Sequence, residues 1–245
     1  MQPSKSNYEF DLLKEEKIAL IHYNSCTDYD AFNAFLQTTF KDIKEEDIKD
    51  LIIDIRYNSG GNSSLNDLLI AYISKKGYRQ SFKRLWKLSD VSLEELVSRG
   101  IKEHYGDDFD TQYRSKSDST ILDFGEEDVP EVTSKVNHFF NGQTYVLIGP
   151  KTFSSANMFA DAISTYNLST LVGLPTGERT NDFGEQKTEV LNHSKFPFDF
   201  TIAYDIGADG DAQSIKTVEP DIKTEEDALK YTINLILKNR EEASK

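Results

Sequence analysis

Apolar residues recur along this chain in two rhythms, and the alternation between them sets the expected architecture. Residues 18–23 (IALIHY) form a nearly continuous apolar run of strand length. In residues 30–43 the apolar positions Phe32, Phe35, Leu36, Phe40 and Ile43 fall three and four apart, the spacing of one helix face. Residues 51–55 are again continuous and broken only by Asp54, as in a parallel strand buried on both sides. A turn with two glycines, residues 56–62, follows, and Leu65, Leu68, Leu69, Tyr72 and Ile73 then mark an amphipathic helix. Strand, helix, strand, glycine turn and helix make an α/β opening.

Between about residues 77 and 141 the periodicity weakens and the segment becomes charged and rich in Ser and Asp. It reads as a partly helical insertion, with helices expected over 85–97 and 132–139, placed to restrict access to a site. The α/β pattern resumes with an apolar strand at 144–149 (TYVLIG), the turn Lys151-Thr152-Phe153-Ser154-Ser155-Ala156-Asn157, and a helix over 155–166. A short strand at 170–173, a loop at 175–184, strands at 186–191 and 198–204, and a helix over 225–238 complete the chain. Thr224 is the expected N-cap of that helix, with Glu225, Glu226 and Asp227 at its positive end.

A length of 245 residues suits one large α/β domain or a domain with a small insertion. The net charge of −14 repels nucleic acid and anionic membranes, so neither is expected as a partner. Cys26 is the one cysteine, which excludes an intrachain disulfide and a cysteine-based metal site. No run of 18 apolar residues is present, so no membrane-spanning segment is expected. The first residues are polar and lack the apolar core of a signal peptide. We expect an upstream domain absent from this chain. The acidic run 205–211 lacks the spacing of a calcium loop. No metal and no cofactor are expected.

Ser154 stands between a strand end and a helix start, where free backbone N–H groups of the helix aim at the same point as its hydroxyl. The glycine turn at Gly60-Gly61 follows a neighbouring strand and lets a substrate approach the backbone. If the two turns face each other, the N–H of Ser155 and that of Gly60 or Gly61 make an oxyanion hole beside a serine nucleophile.

The segment Asp54-Ile55-Arg56-Tyr57-Asn58-Ser59-Gly60-Gly61 resembles the D-L-R-x-N-x-G-G signature of the tail-specific, or C-terminal processing, serine peptidases. That family includes the tricorn core and the repeats of the retinoid-binding protein of the eye. Thr152-Phe153-Ser154-Ser155-Ala156-Asn157 is similar to its T-x-S-A-S-E, Val172-Gly173-Leu174-Pro175-Thr176-Gly177 to its V-G-E-P-T-x-G, and Val218-Glu219-Pro220-Asp221-Ile222 to its V-x-P-D-I. The four motifs occur in the family's order. The resemblance implies a crotonase-like α/β core of stacked ββα units over residues 1–245, with the insertion at about 77–141. It also implies a peptidase hydrolysing polypeptide through an acyl-enzyme on Ser154, outside the cell or in its envelope.

The resemblance is incomplete at the base. The lysine of one family branch aligns with Arg179 without gaps, and with Glu185 when Phe183-Gly184 is used as the anchor. Arginine stays protonated and does not serve as a base. Lys187 lies two residues past Glu185, on the same face of a strand. His22, His104, His138 and His193 read as structural histidines. The other branch draws a histidine from before the core, so the expectation is a base upstream of this chain, with Glu185 or Glu178 orienting it or touching substrate. Asn157 replaces the glutamate of S-A-S-E. The alternative is an inactive peptide- or ligand-binding module on the same fold.

Overall fold

A computed structural model of the chain describes residues 6–98, 121–123, 125–129 and 136–243. The elements run in chain order β1 (Tyr8–Leu13), β2 (Ile18–Tyr23), α1 (Tyr29–Glu45), β3 (Asp50–Asp54), α2 (Ser64–Ile73), β4 (Lys83–Lys87), α3 (Asp90–Ser98), β5 (Ile121–Asp123), β6 (Gln143–Ile148), α4 (Ser155–Thr165), β7 (Thr170–Gly173), β8 (Asp182–Val190), β9 (Pro197–Ile206), β10 (Ile222–Lys223) and α5 (Ala228–Ala243). They divide into two compact units, one of Met1–Gln80, Asp128–Thr180 and Gln213–Lys245, the other of Ser81–Glu127 and Asn181–Ala212.

The first unit is built on a six-stranded sheet in the order β1-β2-β3-β6-β7-β10. Every pair is parallel except the outer β1–β2 pair. Alternate residues face opposite sides of a strand, and both sides are covered. Ile21, Tyr23, Leu51, Ile53, Val146 and Ile148 pack with Phe32, Leu36 and Phe40 of α1, Leu65 and Leu69 of α2, and Phe159 and Ile163 of α4. On the other side Ile18, Leu20, Ile52, Tyr145, Leu147 and Val172 meet Ala228, Leu229 and Ile236 of α5. Each large side chain so buried contributes about 1.5–3 kcal/mol. The unit is therefore a mixed α/β layer structure with the parallel sheet as its middle layer.

The second unit holds a four-stranded sheet, β5-β4-β9-β8, with antiparallel pairing throughout. Its small core joins Trp86, Leu88, Leu96, Ile202 and Ala203. The helix expected over 85–97 begins later, because residues 83–87 pair as a strand with β9 and the helix starts at Asp90. Of the helix expected over 132–139, residues 132–135 lie outside the described residues, and Val136–His138 are non-helical. The last helix is capped by Asp227, whose carboxylate accepts the Lys230 N–H at 3.1 Å. Thr224, the expected cap, instead accepts the Glu226 N–H at 3.2 Å in the turn before it.

In the first unit Asp54 on β3 stands beside Leu147 on β6 in parallel register. The turns that follow these two strands therefore leave the sheet together at its carboxyl edge, the usual place for a site in such a sheet.

Candidate active site

The turn after β6 is stitched to the turn after β3. Thr152 is fully buried, and its hydroxyl donates to the Ile55 carbonyl at 3.0 Å and accepts the Gly149 N–H at 3.1 Å. The Phe153 N–H donates to the Asn58 carbonyl at 3.0 Å. Ser154 follows at φ 51°, ψ −128°, just before the first turn of α4. A residue with a Cβ in such a region costs about 1–3 kcal/mol, and such strain gathers at functional sites. Ser154 is exposed, and its hydroxyl makes no hydrogen bond among the described residues. Its N–H donates to the carboxylate of Glu178. The adjacent Ser155 is buried, and its hydroxyl donates to the Gly61 carbonyl at 2.6 Å.

The glycine turn fits against this serine turn because it lacks side chains. Gly60 has φ 98°, and a Cβ there would lie 2.6 Å from the Ser154 Cβ and 2.9 Å from the Ser155 nitrogen. Gly61 has φ 135°, and a Cβ there would meet the Cys26 carbonyl oxygen at 2.3 Å. The Gly60 N–H already donates to the Asn58 side-chain carbonyl at 2.9 Å. The N–H groups of Gly61 and Ser155 meet no acceptor among the described residues. Of the two glycines expected to offer a donor, Gly61 is the one whose N–H is open.

Beneath both turns lies a buried polar network that sequence reasoning missed. Asn58 donates to the Tyr23 carbonyl at 2.9 Å, and the Tyr23 hydroxyl donates to the Asn66 side-chain carbonyl at 3.1 Å. Asn66 donates to the Ser155 carbonyl at 2.8 Å and to the Gln80 side-chain carbonyl at 2.7 Å. The Cys26 thiol sits 3.6 Å from the Asn58 and 3.8 Å from the Asn66 side-chain carbonyl. Burial pushes the Cys26 thiol up to about 11 and raises the Tyr23 phenol as well, so the network stays uncharged at neutral pH. The signal lay in Asn66, a polar residue on the helix face of Leu69, Ile70 and Ile73.

The two other motifs converge here. The loop after β7 brings Thr176, Glu178 and Arg179 beside α4, where Asn157 donates to the Arg179 carbonyl at 2.8 Å. The buried Asn157 side-chain oxygen has no partner among the described residues. The Thr176 N–H donates to the Val218 carbonyl at 3.1 Å, and the Asp221 carboxylate accepts the Leu171 N–H at 2.7 Å. Asp54 and Arg56 form a two-pronged ion pair, with Nε–O 2.9 Å and Nη2–O 2.7 Å. Arg56, Tyr57, Pro150, Lys151, Leu174 and Thr224 line a cavity of about 300 Å³ at the strand ends.

No described histidine meets Ser154. His22 is on β2 in register with Asp54, on the sheet face covered by α5, and engages Asp11 at 3.5 Å and Asp54 at 3.8 Å. His138 lies just before the start of β6, at the opposite strand end from Ser154, and lines a cavity with Asn33, Gln37 and Tyr72. His193 is exposed in the connection between β8 and β9, and His104 lies outside the described residues. Glu185 and Lys187 belong to β8 in the second unit, where Arg84 donates to Glu185 at 2.6 Å and to Asp205 at 2.7 Å. Among the described residues no group of three His, Cys, Asp or Glu side chains is placed to hold a metal. No helix among them is long and apolar enough to cross a membrane.

Comparison with known proteins supplies the lineage. The putative peptidase from Parabacteroides merdae has a similar fold at 17% identity, TM-score 0.58, covering 95% of this chain and 67% of that one. A putative S41 protease from Bacteroides fragilis matches at 21% identity, TM-score 0.51, over 92% of this chain and 52% of its own. A mutant of CPAF matches at 15% identity, TM-score 0.62, over 90% of this chain and 49% of its own. The chain thus spans about half the length of the last two. No curated protein sequence matches it. The sequence profile of peptidase family S41 matches residues 17–224, and with the four motifs gathered at one edge of its sheet the chain belongs to that family.

Proposed function

We propose that the chain is the core of a serine endopeptidase that cleaves polypeptide through an acyl-enzyme on Ser154. One observation carries the choice of nucleophile. Of two neighbouring serines, Ser155 has its hydroxyl committed to the Gly61 carbonyl at 2.6 Å, whereas Ser154, on a strained turn, presents an exposed hydroxyl with no bond among the described residues. In the reaction the Ser154 Oγ bonds to the scissile carbonyl carbon, and its proton passes through a base to the departing amine as the C–N bond breaks. Water then cleaves the resulting ester and restores the hydroxyl. The N–H groups of Ser155 and Gly61 hold the oxyanion. Removing one such donor costs about 100–1,000-fold in rate. The cavity beside Tyr57 and Lys151 receives a substrate side chain.

The base lies outside the described residues in this reading, in a segment upstream of the core. A location outside the cell or in its envelope is part of the same proposal and rests on the family alone. A second reading, a peptide- or ligand-binding module without catalysis, is favoured by the absence of any described base at the Ser154 hydroxyl and by Asn157 in place of the family's glutamate.

Fluorophosphonate labelling tests the choice, with Ser154→Ala and Ser155→Ala as controls. Labelling abolished in Ser154→Ala and kept in Ser155→Ala supports an activated Ser154. Labelling that survives Ser154→Ala sinks it. No labelling, in this chain or in a longer one carrying the upstream segment, favours the binding module.

A further inference from the structure

Glu178 differs from every other described carboxylate in its contact with the serine turn, because it accepts the backbone N–H of Ser154 itself. At φ 51°, ψ −128° the Ser154 backbone occupies a region that glycine adopts readily and L-residues avoid. The bonds around it fix its neighbours. Phe153 donates its N–H to the Asn58 carbonyl, Ala156 donates to the Phe153 carbonyl at 3.0 Å, and Met158 donates to the Ser154 carbonyl at 2.9 Å. The Ser154 N–H is held by Glu178. A charged acceptor bonds an N–H about twice as strongly as a neutral one, and the positive end of α4 favours a carboxylate at this place.

The carboxylate is also well anchored. On one side of it the Thr176 N–H donates to the Val218 carbonyl, while the Thr176 hydroxyl accepts the Val218 N–H at 3.0 Å. On the other side the Thr180 N–H donates to the Lys216 carbonyl at 2.9 Å, and Asn157 holds the Arg179 carbonyl at 2.8 Å. The loop is thus fixed before and after Glu178, and one of its tethers comes from α4, the helix that Ser154 opens.

We propose that Glu178 is a positioning residue for Ser154: its carboxylate accepts the Ser154 N–H and holds the strained backbone that presents the hydroxyl. It does not take the hydroxyl proton. Asn157 acts through the same contact by tethering the loop at Arg179. The catalytic consequence rests on Ser154 being the nucleophile; the backbone contact does not.

The test compares Glu178→Ala and Glu178→Gln in the full chain by two readouts, exchange of the Ser154 amide proton by NMR and the rate of fluorophosphonate labelling. The expected result is Ser154 exchange at least about tenfold faster in Glu178→Ala, the size of one lost charge-assisted bond, with Phe159 and Ile163 unchanged. Glu178→Gln, which keeps a neutral acceptor oxygen, leaves exchange only about threefold faster than wild type. Labelling falls by a similar factor in Glu178→Ala and recovers in Glu178→Gln. Unchanged Ser154 exchange in Glu178→Ala overturns the proposal whatever labelling does. Changed exchange with equal labelling overturns the positioning role. If wild type labels neither in this chain nor in a longer one carrying the upstream segment, the nucleophile reading fails, and the exchange comparison alone decides whether Glu178 holds this turn.

Discussion

Replacing Gly60 by alanine places a methyl group between the glycine turn and the Ser154 turn. The new Cβ would lie 2.6 Å from the Ser154 Cβ, 2.9 Å from the Ser155 nitrogen and 3.0 Å from the Phe153 carbonyl oxygen. Two of the three are backbone atoms held by the network below, so rotamer changes cannot relieve the clash. Overpacking of this kind costs about 1–3 kcal/mol, and a Cβ at φ 98° adds about 1–2 kcal/mol. The total, about 2–5 kcal/mol, is a large share of the roughly 5–15 kcal/mol that holds a domain folded. The assay uses Cys26, the one cysteine, which is 1% exposed and whose thiol burial pushes up to about 11. A disulfide reagent at neutral pH reaches that thiol only through opening of the first unit, so the labelling rate reports the opening free energy. The expected acceleration is roughly 30-fold to several thousand-fold, at a tenfold change per 1.4 kcal/mol. Gly125→Ala supplies the control for backbone strain alone: Gly125 shares φ 98° but has nothing within 4 Å of its would-be Cβ. Its shift, followed by the single tryptophan Trp86 in the same unit, is expected to stay near 1–2 kcal/mol. A Gly60→Ala protein whose Cys26 reacts less than about tenfold faster than wild type would refute the close approach of the two turns.

The remaining predictions probe the supports of the site. Ser155→Ala removes the hydroxyl bond to the Gly61 carbonyl, worth about 1 kcal/mol, and should speed Cys26 labelling about fivefold. Arg56→Ala leaves Asp54, 5% exposed, without its two-pronged partner. A loss of about 3–5 kcal/mol in the urea unfolding free energy is expected, and a loss under about 1 kcal/mol would show that the pair is not structural. The Cys26 pKa lies above its ordinary value of 9.0, at about 11. The stability it confers is therefore complete below pH 9 and lost as pH rises from 9 toward 11, by roughly 2–3 kcal/mol. Urea midpoints measured across that range should fall more steeply in wild type than in Cys26→Ala, and parallel slopes would contradict the burial of this thiol. The buried phenols of Tyr23 and Tyr78 are raised further and bend both curves at higher pH.

The central strands and helices were legible because their apolar periodicity coincides with burial on the sheet. Leu51, Ile52 and Ile53 are all fully buried, and the helix after Ser154 begins where its pattern begins. The outer strand β1 escaped notice although Tyr8, Phe10 and Leu12 alternate and pack on the core, since the polar residues around them dominate the segment. Residues 85–87 carry a helical spacing although they end the strand β4, because the partner β9 lies more than a hundred residues later and local spacing carries no trace of it. Within the candidate site, motif order pointed to the Ser154 turn and the glycine turn, which the fold places against each other. The separate roles of Gly60 and Gly61 were not legible, since they depend on where the Asn58 side chain folds back. The Glu178 contact lies beside the Asn157 bond to the Arg179 carbonyl, and no periodicity reveals either.

The position of β6 beside β3 has a consequence for how the chain is made. These neighbours in the sheet are separated by roughly 90 residues, about half of them in the second unit's first segment. At about 5–20 residues per second of synthesis, β3 waits several seconds for β6, with β2 alone available to pair with it. Pairing so distant in sequence also makes folding slow. The newborn chain thus carries an apolar strand, β3, with one edge open until β6 is made.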